Sequence, residues 1–184
     1  RSITLNVNEN STCNAMSGGN TLHFFRRGGG CENTARLADV VYHEFGHSLH
    51  GESIISGIGN FDGALSEGIG DVLALAMTND PGMGRGFFMD DRPLRQLNPA
   101  NGEKVWGVNT TGEVHNDGEV YGGTMYDLKT ALEASLGTEA GYDHWLEIFY
   151  ATIQRGADIP STYAEALLAD DDDGNLDNGT PNQC

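Results

Sequence analysis

Residues 43–47 read His-Glu-Phe-Gly-His, two imidazoles four positions apart with a carboxylate directly after the first. A helix turns about 100° per residue, so positions 43 and 47 share one face and both rings can close on a single tetrahedral cation. Glu44 then lies beside them, placed to take a proton from water on that cation. The chemistry served by this spacing is metal-assisted hydrolysis. Five residues alone also fit two surface histidines on an acidic helix, and a third ligand separates the two readings.

Continuation as HExxHxxGxxH would need glycine at 50 and histidine at 53, where the chain has His50 and Ser53. The other source of a ligand is a carboxylate on a second helix. Residues 63–71 read Gly-Ala-Leu-Ser-Glu-Gly-Ile-Gly-Asp, which puts Glu67 and Asp71 one turn apart on one face. Glu67 is expected to bind the metal, and Asp71 to accept the remaining N–H of a ligand histidine.

With these residues in place the chain resembles the gluzincin metallopeptidases, thermolysin-like and fungalysin-like. Glu67 follows His47 by twenty positions, the interval of the thermolysin-like enzymes, and residues 60–67, Asn-Phe-Asp-Gly-Ala-Leu-Ser-Glu, are similar to the entry into their glutamate helix. Cys13-Asn14-Ala15 looks like the edge strand that carries peptide substrate in that family. Leu94-Arg95-Gln96-Leu97-Asn98-Pro99 is similar to its arginine segment, and Gly112-Glu113-Val114-His115 to the segment bearing a second catalytic histidine. Glu119-Val120-Tyr121 through Tyr126-Asp127-Leu128 is closer to the fungalysin form. The matches keep one order over about residues 13 to 128, which makes their joint occurrence far more specific than any single one.

The resemblance implies a zinc ion held by His43, His47 and Glu67, Glu44 as general base, His115 as the group stabilising the oxyanion, and Asn14, Ala15 and Arg95 as substrate contacts. Two positions depart from the family. Ile58 stands where it has a hydrogen-bonding tyrosine, and Thr110 stands where it has an aspartate orienting the histidine. Asp117, Glu119 or the backbone are then the groups left to steer His115. His23, His50 and His144 have no matching partner in sequence and read as ordinary packing or surface histidines.

Composition narrows the partners. Ten basic against 27 acidic residues give a net charge of −17, which repels nucleic-acid phosphates and anionic lipid. No run of 18 apolar residues exists, so membrane insertion is not expected. Such acidity suits an extracellular protein, calcium loading or a saline habitat. Cys13 and Cys31 flank a segment that reads as two short strands and a turn, which a disulfide can staple, whereas Cys184 is left over. The chain starts at arginine without a signal peptide, so a processed piece of a longer secreted precursor is expected, with flanking domains or a propeptide.

Along the chain, residues 3–7 alternate as a half-buried strand and 21–25 offer a second. The first helix is expected to open near Asn33-Thr34 and run to Gly51, the second to run from Asp62 or Gly63 to about Thr78. Residues 79–114 read as a long loop over the active site. Helices return at about 117–136, 139–154 and 161–169. The fold class is α+β and zincin-like, one catalytic domain over 1–184. Its small β part with the HExxH helix covers about 1–51, its mainly helical part about 60–184, and the cleft lies between them.

The tail from Asp170 to Thr180 concentrates side-chain oxygens around glycines. Asp171, Asp173, Asn175 and Asp177 alternate as calcium loops do, though the glycine is not where an EF-hand requires it, and a solvated acidic loop is the competing reading. The function expected from the whole is a secreted zinc endopeptidase acting on peptide or protein substrates. The alternative is a zinc-stabilised binding module on the same scaffold. An aminopeptidase would need an acidic anchor for a free amine, and the chain has no GxMEN-like segment.

Overall fold

The computed structural model describes residues 2–182, and Cys184 lies outside them. Strands β1 (Thr4–Glu9), β2 (Ala15–Gly18) and β3 (Thr21–Phe25) form one sheet in the order β1-β3-β2. β2 and β3 make an antiparallel hairpin, and β1 runs parallel to β3. Leu22, Phe24 and Ala15 turn inward onto a small core with Cys31, Val40, Met83 and Phe87. Ile3, just before β1, packs against it. Leu5 and Val7 stay about half exposed, since the first helix lies over β2 rather than over the β1 edge. Cys13 and Cys31 are joined, closing the hairpin at its open end.

Asn33 caps as its sequence position predicts, but it caps a separate 3-10 turn, Thr34–Arg36. The buried Thr34 hydroxyl accepts from Phe25 N and donates to Asn14 O, which ties this turn to the sheet. Leu37 then returns to extended backbone, and α1 runs Ala38–Ser53. Helix α2, Gly63–Thr78, opens on Asp62, whose carboxylate accepts from Leu65 N at 2.8 Å, and closes on Asn79 in the left-handed region. The two helices cross in close contact. A methyl group on Gly46 would stand 2.7 Å from Gly70 Cα, and one on Gly70 would stand 2.6 Å from His43 Nδ1.

Residues 79–113 contain a short antiparallel ladder, β4 (Gly82–Met83) with β5 (Arg95–Gln96), where sequence periodicity gave only a loop. Two residues per strand are too few to show a period. Helices α3 (Val114–Leu136), α4 (Thr138–Arg155) and α5 (Thr162–Asp170) complete the chain. Their larger core centres on Leu65, Ile69, Tyr121, Trp145, Ile148 and Ile153. α3 starts earlier than its apolar period suggests because Glu113 caps it, accepting from His115 N and Asn116 N. The three-stranded sheet thus precedes the helices in an α+β arrangement, with the β4–β5 ladder set between α2 and α3. Among the described residues no helix is long and apolar enough to cross a membrane.

His50 is fully buried near the end of α1, stacked on Phe61 at 5.1 Å, and neither ring nitrogen has a hydrogen-bond partner. Burial pushes its pKa from the ordinary 6.5 down to about 4, against a weaker upward pull from Asp62. The unfolded chain therefore binds a proton on this ring near pH 6.5 that the folded chain refuses until about pH 4. Between those values stability falls as pH falls, by on the order of 3 kcal/mol from this ring. In His50→Leu, the drop in unfolding free energy from pH 7 to pH 4 should be smaller by about that amount. Urea titrations at the two pH values measure it, and an unchanged drop would refute the assignment.

Candidate metal centre

Helix α1 presents His43 and His47 on one face, and α2 brings Glu67 against them, so that one ligand atom from each lies within 4.8 Å of the others. His43 Nε2 stands 3.2 Å from Glu67 Oε2, and His47 Nε2 3.7 Å from Glu67 Oε1. Two N or O atoms on one tetrahedral ion at bond lengths of ~2.0–2.2 Å stand about 3.3 Å apart, so these spacings fit a shared cation. A second observation agrees: Glu67 Oε2 is buried with no hydrogen-bond partner. Such an oxygen is costly to bury unless a cation or donor completes it.

Both histidines are fixed from behind. His43 Nδ1 meets Asp71 Oδ1 at 2.7 Å, and His47 Nδ1 meets the Ser66 hydroxyl at 2.9 Å. With Asp71 accepting from Nδ1–H, Nε2 of His43 is turned to Glu67. Asp71 is itself clamped by Arg95, whose Nε and Nη2 each donate to it at 2.6 Å. Burial works against the Asp71 charge, but the guanidinium and His43 more than offset it and hold the carboxyl well below the usual range.

Burial likewise opposes a charge on His43, yet the hydrogen bond to Asp71 and the nearby Glu67 carboxylate outweigh it and raise the pKa to about 9. His47, buried and facing His43, is pushed down to about 4. Glu44 is buried beside them, and its pKa is raised by that burial and by the nearby Glu67 charge. Glu67 is lowered, because the three surrounding histidines overcome the effect of its own burial. The centre therefore holds two carboxyls tuned in opposite directions, one suited to ligation and one to moving a proton.

Compared with known proteins, the chain matches no family model and no curated protein.

The residues expected to act together are distributed as follows. His43, Glu44, His47, Glu67, Asp71 and Arg95 form one connected group. His115, in the first turn of α3, joins it from the open side, with Nε2 3.4 Å from Glu67 Oε2. Asp117 and Glu119 do not steer it. Asp117 accepts from Thr111 N and Gly112 N to close the preceding loop, and Glu119 pairs with Lys104. Glu113 does, with Oε1 2.7 Å from His115 Nδ1. Sequence reasoning missed this carboxylate, which lies two residues upstream and also caps α3.

Ser66 was likewise missed, although it directly precedes Glu67. Ala15 lies in β2, on the outer edge of the sheet, and Asn14 is exposed just before it. Ile58 is exposed on the α1–α2 connection. In the tail, the carboxylates that meet are Asp171, Asp172 and Asp173. Asp173 Oδ1 and Asn175 Oδ1 accept backbone N–H groups of their own turn, from Asn175 and Asp177. His144, read as an ordinary packing or surface histidine, is bound to Asp170 at 2.7 Å.

Asp71→Ala should weaken metal binding about 10–100-fold, the usual effect of losing the group behind a ligand histidine. Competition with a chromophoric chelator reads this directly. Affinity unchanged from the parent would show that Asp71 does not support the centre.

Proposed function

We propose that this chain is a zinc endopeptidase of the gluzincin type that acts outside the cell. One observation carries the reading: two imidazole nitrogens and a buried, otherwise unsatisfied carboxylate oxygen converge beside a second buried carboxyl that is not needed as a ligand. Zinc suits a site of two histidines and one glutamate, and when bound there it supplies a Lewis acid and lowers the pKa of water toward neutrality.

The chain's own groups do the rest. Glu44, with its raised pKa, takes the proton of the attacking water and holds it on its carboxyl. It then gives that proton to the amine nitrogen as the C–N bond breaks. His115, its Nδ1 held at Glu113, turns Nε2 toward the centre, where it is placed to hydrogen-bond the developing oxyanion. Ile58 contributes no hydrogen bond, so His115 carries this stabilisation from protein side chains. The free edge of β2 gives an extended peptide backbone groups to pair with, next to Asn14 and Ala15. The Cys13–Cys31 bridge supports an oxidising, extracellular setting. A purely structural zinc module would have no use for Glu44, which favours catalysis over that alternative.

Glu44→Gln should retain stoichiometric zinc and lose about 10²–10⁴ in kcat/KM on a quenched fluorescent peptide. Glu67→Ala should lose both zinc and turnover. Turnover of the zinc-loaded Glu44→Gln protein within threefold of the parent would overturn the reading, as would parent-like zinc affinity in Glu67→Ala.

A further inference from the structure

The antiparallel register that sets Ala15 opposite Phe24 makes Asn14 and Phe25 the next opposed pair at the open end of the β2–β3 hairpin. In a regular ladder Phe25 N would donate straight to Asn14 O. A side chain stands between them instead. Phe25 N donates to the Thr34 hydroxyl at 2.9 Å, and that hydroxyl donates onward to Asn14 O at 3.1 Å. One oxygen thus turns a single rung into two hydrogen bonds in series, and β2 starts only at Ala15, with Asn14 standing off the partner strand.

This wedge belongs to the core. Thr34 is fully buried in the 3-10 turn that Asn33 caps, whereas Asn14, the residue it holds, is exposed. Cys13, in left-handed backbone with φ 58°, is bound to Cys31 on one side of Asn14, and Ala15 faces Phe24 on the other. Three consecutive residues are fixed from three directions. Backbone groups alternate sides along a strand, so an Asn14 carbonyl turned inward leaves the N–H and C=O of Ala15 facing the free outer edge of the sheet. Where Thr34 puts Asn14 therefore decides which backbone groups an extended peptide meets first.

We propose that Thr34 is a positioning residue for peptide binding, its hydroxyl holding Asn14 off β3 and presenting the Ala15 backbone to the substrate. This rests on the peptidase reading above. Valine has nearly the shape of threonine without the hydroxyl, so Thr34→Val keeps the packing and removes the bridge. Phe25 N and Asn14 O must then close on each other or stay unpaired, and either outcome moves the edge.

The test uses the zinc-loaded full chain with a quenched fluorescent peptide. Thr34→Val should raise KM about tenfold while kcat stays within about twofold of the parent, the pattern of binding lost equally from ground and transition states. Thr34→Ser keeps the hydroxyl and should restore KM to within about threefold of the parent. Binding of the uncleaved peptide to zinc-loaded Glu44→Gln should weaken by the same factor when Thr34→Val is added. In an Asn14→Ala background, Thr34→Val should cost less than it does alone, because the two act on one contact. Thr34→Ala removes the same hydroxyl and takes the place of Thr34→Val if that protein does not fold. Parent-like KM without the hydroxyl, or a loss shared by kcat and zinc affinity, overturns the positioning role while the peptidase reading stands. A zinc-loaded parent that cleaves no peptide overturns both.

Discussion

The crossing of α1 and α2 is the constraint on which the centre depends. Two imidazoles and a carboxylate lie within 4.8 Å where α1 and α2 approach too closely for a side chain between their backbones. Gly46 and Gly70 permit it, since either one with a Cβ would collide with the neighbouring helix or with the His43 ring. A second close approach repeats the device on the other side of α2, where a methyl on Gly118 would stand 2.9 Å from Glu67 Cβ. Glu67 is thereby held between α1 and α3, with His43 and His47 on one side and His115 on the other. Two glycine contacts set the distances, and the ligand side chains follow from them.

Charge balance makes that packing tolerable. A carboxylate as buried as Asp71 is unfavourable by itself, and it is stable because Arg95 and His43 both meet it. Arg95 comes from the short ladder inside the 79–113 segment, so the same ion pair that orients His43 also fastens this segment over the helices. Asp39 adds a second tie, accepting from Gly84 N. The sequence region with the least periodicity is consequently among the most firmly connected to the centre.

What could be read in advance follows from where the physical signal lies. His43, His47, Glu67 and Asp71 were legible because they obey helical spacing within two continuous helices, and a four-residue period survives in sequence without tertiary context. The strand pair joined by Cys13 and Cys31 was legible from its turn and its alternation. Glu113 and Ser66 were not, because each sits beside a recognised residue and acts through a rotamer, which no spacing rule encodes. The β4–β5 ladder is too short to have a period, and the exposure of Leu5 and Val7 depends on where a distant helix ends. The 3-10 turn at 34–36 was hidden for a related reason: Asn33 is a cap in either structure, and what interrupts the helix is the buried Thr34 hydroxyl tied to the sheet.

Glu113 performs two tasks with one carboxylate. It closes the first turn of α3 through His115 N and Asn116 N, and it holds the His115 ring. Both residues are about half exposed, whereas His43 is only 5% exposed and backed by a fully packed ion pair. Helix ends fray on fast timescales, and any loosening of this cap releases the imidazole with it. The centre thus has a buried floor and an exposed roof, and the order of that roof is the order of a single helical turn.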